Sequence, residues 1–125
     1  MRKVVATADA PKPVFSYSQG IASGDFLFVS GQVPVDPVTK AVPASFDDQV
    51  RRALANVAAI AEAAGTGLAN AVRVGVYLAD LANFEAMDKV YREHFQEPLP
   101  SRTTLGVSLP GFAIEIDAVI ALGNA

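Results

Sequence analysis

The strict alternation of side chains near the end of the chain does most to limit the possible folds. In residues 113–121, branched or small apolar side chains alternate with positions that include Glu115 and Asp117. Successive side chains of a strand point to opposite faces of its sheet. The pattern therefore predicts a strand with one face buried against a core and the other face open. Ile114, Ile116, Ala118 and Ile120 form the predicted inward face.

The preceding residues predict a second strand joined to this one by a turn. Residues 98–121 contain Arg102 before a Leu-Pro-Gly-Phe segment at positions 109–112, and Glu115 after it. A turn with an even number of residues would place Arg102 and Glu115 on the same face of a hairpin. A charged side chain in a β pattern must meet water, an opposite charge or a ligand, because burying it alone is costly.

Two interpretations of this pair are open from the residues alone. Arg102 offers a planar fork that binds a carboxylate, and Glu115 is a candidate base. In the alternative interpretation, Arg102 forms an inter-subunit salt bridge and Glu115 belongs to a solvent-facing acidic row. Our working hypothesis is that the two form one ligand site.

The remainder of the chain predicts four more strands and two amphipathic helices, which gives the order βββαβαββ. Two helices that follow strands in this order cover one face of a sheet, so the fold class is α+β. We predict strands over residues 2–6, 15–23, 25–30 and 71–79, and helices over residues 45–64 and 80–95. The first helix has Ser45 as its predicted N-cap, and Gly65 is expected to end it.

The second face of the predicted sheet has no helix left to cover it. We expect Val29, Tyr77, Val119 and Ala121 on this face. Hydrophobic residues make up 51% of the chain, and a small monomer rarely exposes a large apolar face. The sequence therefore predicts an oligomer that buries this face against other copies of the chain.

Length and composition exclude several classes of protein. The 125 residues fit one domain spanning residues 1–125. No apolar run reaches the about 18 residues that a membrane span needs, and a cytoplasmic location is expected. Without cysteine, and with His94 as the single histidine, thiol chemistry, a zinc site and a Ser-His-Asp relay have no support. A net charge of -3 argues against a nucleic-acid surface.

Three further residues are candidates for lining a ligand site. Gly31 follows Ser30 at the end of a predicted strand, where a glycine lets a ligand approach the backbone. Tyr17 lies near the first predicted hairpin, where its hydroxyl can reach a ligand at a subunit edge. The plainer interpretations are a turn glycine and a packing tyrosine.

Several motifs occur in an order and at a spacing that match one known family. They are YSQGI at 17–21, FVSGQVPVDP at 28–37, Gln49 with Asn56 and Val57, EAAG at 62–65, VYLADLANF at 76–84, PSRTTLGVSLP at 100–110 and IEIDAVIA at 114–121. In these segments the chain resembles the Rid/YjgF family of small trimeric proteins, the reactive-intermediate deaminases. The resemblance covers nearly the whole chain.

The resemblance implies a chorismate-mutase-like fold in which three subunits pack their sheets into a central barrel. It also implies a site in each cleft between subunits that hydrolyses 2-imino acids or enamines, such as 2-iminobutanoate and 2-iminopropanoate, to 2-keto acids and ammonia. By the same resemblance, Arg102 grips the substrate carboxylate and Glu115 positions the attacking water, without a metal or an organic cofactor. The other implied cleft residues are Tyr17, Ser30, Gly31 and Thr104.

The chain departs from the family pattern beside the implied site. Ser16 stands where proline is frequent, Asp88 stands where asparagine is common, and residues 96–99 form a shorter segment than in the best-known deaminases. These departures affect the expected range of substrates more than the expected reaction. Two alternatives remain open: a non-catalytic regulator that binds 2-keto acids, and an RNA-acting protein of the kind described as endoribonucleases or translation inhibitors in this family.

Overall fold

The computed structural model describes residues 1–123, which form six strands and two α-helices. The predicted order βββαβαββ is confirmed, and two short 3-10 turns, Leu68–Asn70 and Leu81–Asn83, precede β4 and α2. The elements are β1 (Lys3–Val5), β2 (Gly20–Ser23), β3 (Phe26–Gln32), α1 (Phe46–Ala63), β4 (Ala71–Leu78), α2 (Phe84–Tyr91), β5 (Ser101–Gly106) and β6 (Ile114–Ala121).

All six strands form one sheet in the order β1-β2-β3-β6-β4-β5. Only β4 and β5 run parallel, and every other neighbouring pair is antiparallel. The predicted hairpin of the last two strands is wrong, because β4 lies between β5 and β6. The physical reason is the α2 crossover, which returns the chain as a parallel strand beside β4 and leaves the other edge of β4 for β6.

Helix α1 begins and ends where its caps predict. The Ser45 hydroxyl accepts a hydrogen bond from the Asp48 N–H at 3.1 Å, and Gly65 takes a positive φ of 84° after the last turn. Helix α2 is shorter than the predicted 80–95. Asp80 caps the preceding 3-10 turn instead, accepting from the Ala82 N–H at 2.9 Å. The His94 N–H donates to the carbonyl of Tyr91, a bond that tightens the chain beyond the helix.

Both helices pack on one face of the sheet, as expected. The predicted inward residues of β6 are at most 4% exposed and belong to the same buried cluster as α1 residues such as Leu54 and Ile60. Within residues 1–123, no helix has the length and apolar character that crossing a bilayer demands.

The opposite face of the sheet is open in the single chain. Tyr77, Val119 and Ala121 lie half-buried on it, as predicted. Val29 was wrongly assigned to this face, because it is 4% exposed and lies in the core. Its neighbour Phe28, opposite Val119, points outward instead and is 48% exposed.

Candidate functional site

The sheet register places the two principal candidates on opposite faces. Arg102 of β5 lies beside Val74, a core residue of β4. Glu115 of β6 lies beside Tyr77, three residues further along β4. Residues separated by an odd number of positions along a strand point to opposite faces, so Arg102 and Glu115 lie on opposite faces of the sheet. Two strand spacings across the sheet and a rise of three residues along it put their Cα atoms roughly 14 Å apart. The prediction that they share one face is therefore wrong within a single chain.

Glu115 lies in a cavity of about 310 Å³ together with three other predicted site residues. The cavity brings residues from the N-terminal loop, the end of β3 and β6 to one place on the open face. Its lining consists of Pro11, Tyr17, Ser30, Gly31, Gln32, Val33 and Glu115. Four of the six predicted site residues thus form one half-site, which we call the glutamate half-site.

A β-bulge at the end of β3 turns Gly31 toward Glu115. The pairing of β3 with β6 runs regularly to Val29 and resumes at Gln32, with one extra residue on the β3 side. Such a bulge re-aims the residues that it contains. A Cβ added to Gly31 would overlap Oε2 of Glu115 and would lie 2.9 Å from its Cδ. The missing side chain of Gly31 is therefore what makes room for the carboxyl group.

Ser30 holds the loop that carries Tyr17. The Ser30 hydroxyl donates to the carbonyl of Ser18 at 2.6 Å, and the Ser30 N–H donates to the carbonyl of Gln19 at 2.9 Å. Residues 15–19 are consequently a tethered loop, which corrects the predicted strand over 15–23; β2 begins at Gly20. Tyr17 is 50% exposed at the rim of the cavity, so its side chain is accessible to a ligand.

The surroundings of Glu115 favour its protonated form. Partial burial raises the pKa of the Glu115 carboxyl, and the negative charge of Asp117 raises it further. Asp117 accepts a hydrogen bond from the Tyr77 hydroxyl at 2.9 Å and occupies the space that Gly75 leaves free. A carboxyl group with a raised pKa exchanges protons closer to neutral pH than an ordinary glutamate does.

Arg102 belongs to a second half-site on the helix side, which we call the arginine half-site. Its guanidinium carbon lies 4.7 Å from the ring centroid of Tyr91 and 5.6 Å from that of Phe84. Nη1 of Arg102 donates to Oδ1 of Asp88 at 2.8 Å. These contacts hold the guanidinium in a cavity of about 260 Å³. The residues that line this cavity are Asp88, Tyr91, Arg92, Leu99, Pro100 and Arg102.

Thr104 lies on the same face of the sheet as Arg102, opposite to Glu115. It lies two residues further along β5 and pairs with Val76, which is fully buried in the core. By strand alternation its side chain shares the helix-side face with Arg102. The six predicted site residues are thus divided into four around Glu115 and two around Arg102.

The contacts of Arg102 with α2 were not predicted from the sequence. Phe84, Asp88 and Tyr91 follow a spacing of four and then three residues, which places them on one helix face. That spacing could have identified a shared partner, but only the observed crossover shows that the partner is Arg102. The Tyr77–Asp117 pair was also missed, because it depends on the register of β4 against β6.

A larger cavity adjoins the glutamate half-site along the N-terminal loop, since Ala10 and Lys12 line it and Pro11 lines the half-site. It measures about 580 Å³, and Lys12 and Lys40 are its charged lining residues. The side chain of Gln19 also lines it, but its amide already bonds to the backbone of the N-terminal loop. Within residues 1–123, no three histidine, aspartate or glutamate side chains lie close enough together to hold a metal ion.

Comparison with known proteins connects this geometry to one family. The family model described as Endoribonuclease L-PSP matches residues 7–122. A RutC family protein of Pyrococcus horikoshii is 46% identical over 122 residues, which cover 95% of this chain and 97% of that protein. The 2-iminobutanoate/2-iminopropanoate deaminase of Capra hircus is 35% identical over 126 residues, with 98% and 92% coverage.

A solved structure agrees with these sequence matches. The crystal structure of Escherichia coli TdcF with bound serine superposes with a TM-score of 0.89 at 37% identity. The superposition covers 95% of this chain and 98% of TdcF. The chain therefore belongs to the Rid/YjgF family, which the Endoribonuclease L-PSP model describes.

Proposed function

We propose that this protein hydrolyses 2-imino acids to 2-keto acids and ammonia in clefts formed between subunits. The observation that carries the proposal is the division of the site. A desolvated carboxyl group and a fixed guanidinium lie on opposite faces of one sheet, each in its own open cavity. The deaminase among the relatives, at 35% identity over nearly the whole chain, supports this choice of reaction.

The separation of the half-sites favours a site shared between subunits. A small 2-imino acid cannot bridge roughly 14 Å and pass through the sheet, so one chain cannot use Arg102 and Glu115 on the same molecule. The open face carries exposed Phe26 and Phe28, and the edge strand β5 presents Leu105 at 49% exposure. We propose a homotrimer in which the glutamate half-site of one subunit meets the arginine half-site of the next.

Arg102 would hold the substrate carboxylate. Its Nη1 is occupied by Asp88, whereas Nε and Nη2 make no hydrogen bond within residues 1–123. The edge formed by Nε and Nη2 can donate two parallel hydrogen bonds to a carboxylate. Because the ring of Tyr91 supports the guanidinium at 4.7 Å, the fork is held in place before the substrate arrives.

Glu115 would activate the water molecule and transfer the protons. The carboxylate takes a proton from a water molecule while the water oxygen attacks the imine carbon, and the C=N bond becomes a single bond. The proton passes from Glu115 to the nitrogen, which leaves an amino group and a hydroxyl group on the same carbon. The hydroxyl proton then passes through Glu115 to the amino nitrogen while the C–N bond breaks, so that ammonia leaves and the oxygen becomes the keto oxygen. Positioning of the water and the imine supplies most of the acceleration in such a small site.

This reaction requires no cofactor chemistry. One water molecule and one imine give one keto group and one ammonia, so no electrons are gained or lost. Tyr17 and Ser30 would close the cavity around the reacting carbon, and Thr104 would border the carboxylate end through its backbone. A raised pKa allows Glu115 to accept a proton and return it in the same cycle.

The test couples an amino-acid oxidase to this protein and follows keto-acid release from 2-iminobutanoate and 2-iminopropanoate. We expect the wild-type protein to accelerate hydrolysis and Arg102→Gln to lose the acceleration. Arg51→Gln is the matched control, since Arg51 also pairs with carboxylates but lies on the surface of α1, away from both half-sites. No acceleration of either imine by the folded wild-type protein would overturn the proposal.

A second candidate is a non-catalytic module that binds amino or keto acids. The serine bound to TdcF, a 37% identical relative, favours it. Such a module would bind 2-oxobutanoate through Arg102 but leave the rate of imine hydrolysis unchanged. Calorimetry with 2-oxobutanoate beside the coupled assay therefore separates the two candidates.

A further inference from the structure

The ion pair between Arg102 and Asp88 restricts which carboxylates the arginine half-site can accept. Nη1 of Arg102 donates to Oδ1 of Asp88 at 2.8 Å, with the Arg102 side chain 20% exposed and the Asp88 side chain 41% exposed. The guanidinium that would bind a ligand thus already carries a fixed negative partner. That partner is Asp88 of α2.

The other residues around Arg102 set the net charge that a ligand meets. The rings of Tyr91 and Phe84 flank the guanidinium, and neither carries a charge. Arg92 also lines this cavity and adds a positive charge at its exposed rim. Leu99 and Pro100 form the other wall. The charged lining residues Arg102, Arg92 and Asp88 therefore sum to one positive charge before a ligand binds.

We propose that Asp88 determines specificity by making the cleft select 2-imino and 2-keto acids whose side chains are uncharged. This inference rests on the proposed function. A ligand carboxylate on the free edge of Arg102 would lie roughly 5–6 Å from the carboxylate of Asp88, because both bind the same planar group. One ligand carboxylate balances the remaining positive charge, and a second carboxylate adds an uncompensated charge.

The apolar walls of the arginine half-site also favour ligands with uncharged side chains. A ligand side chain that extends from Arg102 meets the ring of Tyr91 and the side chains of Leu99 and Pro100. The hydroxyl of Tyr91 is buried and has no hydrogen-bond partner within residues 1–123. It is a neutral polar group, so it does not provide the positive charge that a second carboxylate requires.

Calorimetric titration with 2-oxobutanoate and 2-oxoglutarate, at low ionic strength, tests the role of Asp88. Asp88→Asn keeps an oxygen that accepts from Nη1 but removes the charge. We expect this variant to bind 2-oxobutanoate about threefold and 2-oxoglutarate about tenfold more tightly than the wild type does, because the removed repulsion acts on each ligand charge.

Two controls make the outcome specific. Asp48→Asn removes a carboxylate that pairs with Arg51 at 3.0 Å on the exposed side of α1, and it is expected to leave both affinities unchanged. Arg102→Gln is expected to lose binding of both acids. If Asp88→Asn changes both affinities by the same factor, or neither, while Arg102→Gln loses binding, this inference alone is overturned. If Arg102→Gln binds as the wild type does, the proposed function fails as well.

Discussion

Replacing Gly31 by alanine should move the carboxyl group of Glu115 without unfolding the protein. An added Cβ would lie 2.9 Å from Cδ and 3.2 Å from Cγ of Glu115. Non-bonded carbon atoms pack at about 3.5–4.0 Å, so the carboxyl carbon must shift by about 0.6–1.1 Å. The neighbour that moves is the end of a flexible side chain, and the backbone of the bulge can stay where it is.

The expected effect on the rate follows from this shift. A misplacement of about 1 Å in a catalytic group can cost about a hundredfold in rate. We therefore predict that Gly31→Ala lowers kcat/KM for 2-iminobutanoate by about two orders of magnitude, whereas its melting temperature stays close to that of the wild type. The coupled keto-acid assay measures the first quantity and differential scanning calorimetry the second.

Gly67→Ala is the matched control for this substitution. Gly67 has an extended backbone, with φ at -166°, and nothing lies within 4 Å of the Cβ position. This variant should retain both activity and stability. If Gly31→Ala hydrolyses the imine at a rate within about threefold of the wild type while Glu115→Gln is inactive, the position of the carboxyl group does not depend on the bulge, and the reasoning is refuted.

Three other substitutions test the electrostatics and packing around the site. Burial raises the pKa of Glu115, so the folded protein binds the carboxyl proton of Glu115 more tightly than the unfolded chain does. The stability that the protonated carboxyl group contributes is therefore lost as pH rises through the pKa of the folded state. Glu115→Gln should therefore melt at a higher temperature than the wild type at pH 8, and the difference should vanish at about pH 4 in the same buffer series. Asp117→Asn removes the charge that adds to this shift, so the rising limb of the kcat/KM profile should move to lower pH; an unmoved limb would contradict the assignment. Tyr91→Phe deletes a buried hydroxyl without a partner in residues 1–123, and we expect chemical denaturation to show about 1 kcal/mol of added stability.

Features that depend on neighbouring residues could be predicted from the sequence. The alternation in β6 identified its buried face, and the N-cap at Ser45 with the positive φ of Gly65 fixed the ends of α1. Each of these depends on contacts within a few residues, so the local pattern contains the necessary information.

Features that depend on strand pairing could not be predicted in the same way. The pattern of residues 101–121 fits a hairpin and also fits two strands separated by a third, because alternation says nothing about which strands are neighbours. Whether Arg102 and Glu115 lie on the same face depends on which strands are neighbours. A one-residue difference in register reverses every side chain of a strand.

The bulge in β3 and the loop before β2 were missed for a related reason. The prediction ended one strand at Ser30, within the bulge, and extended the preceding strand through Tyr17. The structure fixes both segments by long-range contacts, such as the hydrogen bond from Ser30 to the Ser18 carbonyl at 2.6 Å. No local pattern records a contact of this kind, and the glutamate half-site is built from several of them.

Subunit mixing tests the central claim, a site shared between subunits, most directly. Arg102→Gln and Glu115→Gln proteins, each inactive alone, are unfolded together, refolded and compared with the separately refolded samples, and native mass spectrometry verifies that mixed oligomers form. If each site takes Arg102 from one subunit and Glu115 from another, random assortment restores about a quarter of the sites and of the wild-type rate. Mixed oligomers without recovered imine hydrolysis would contradict the account.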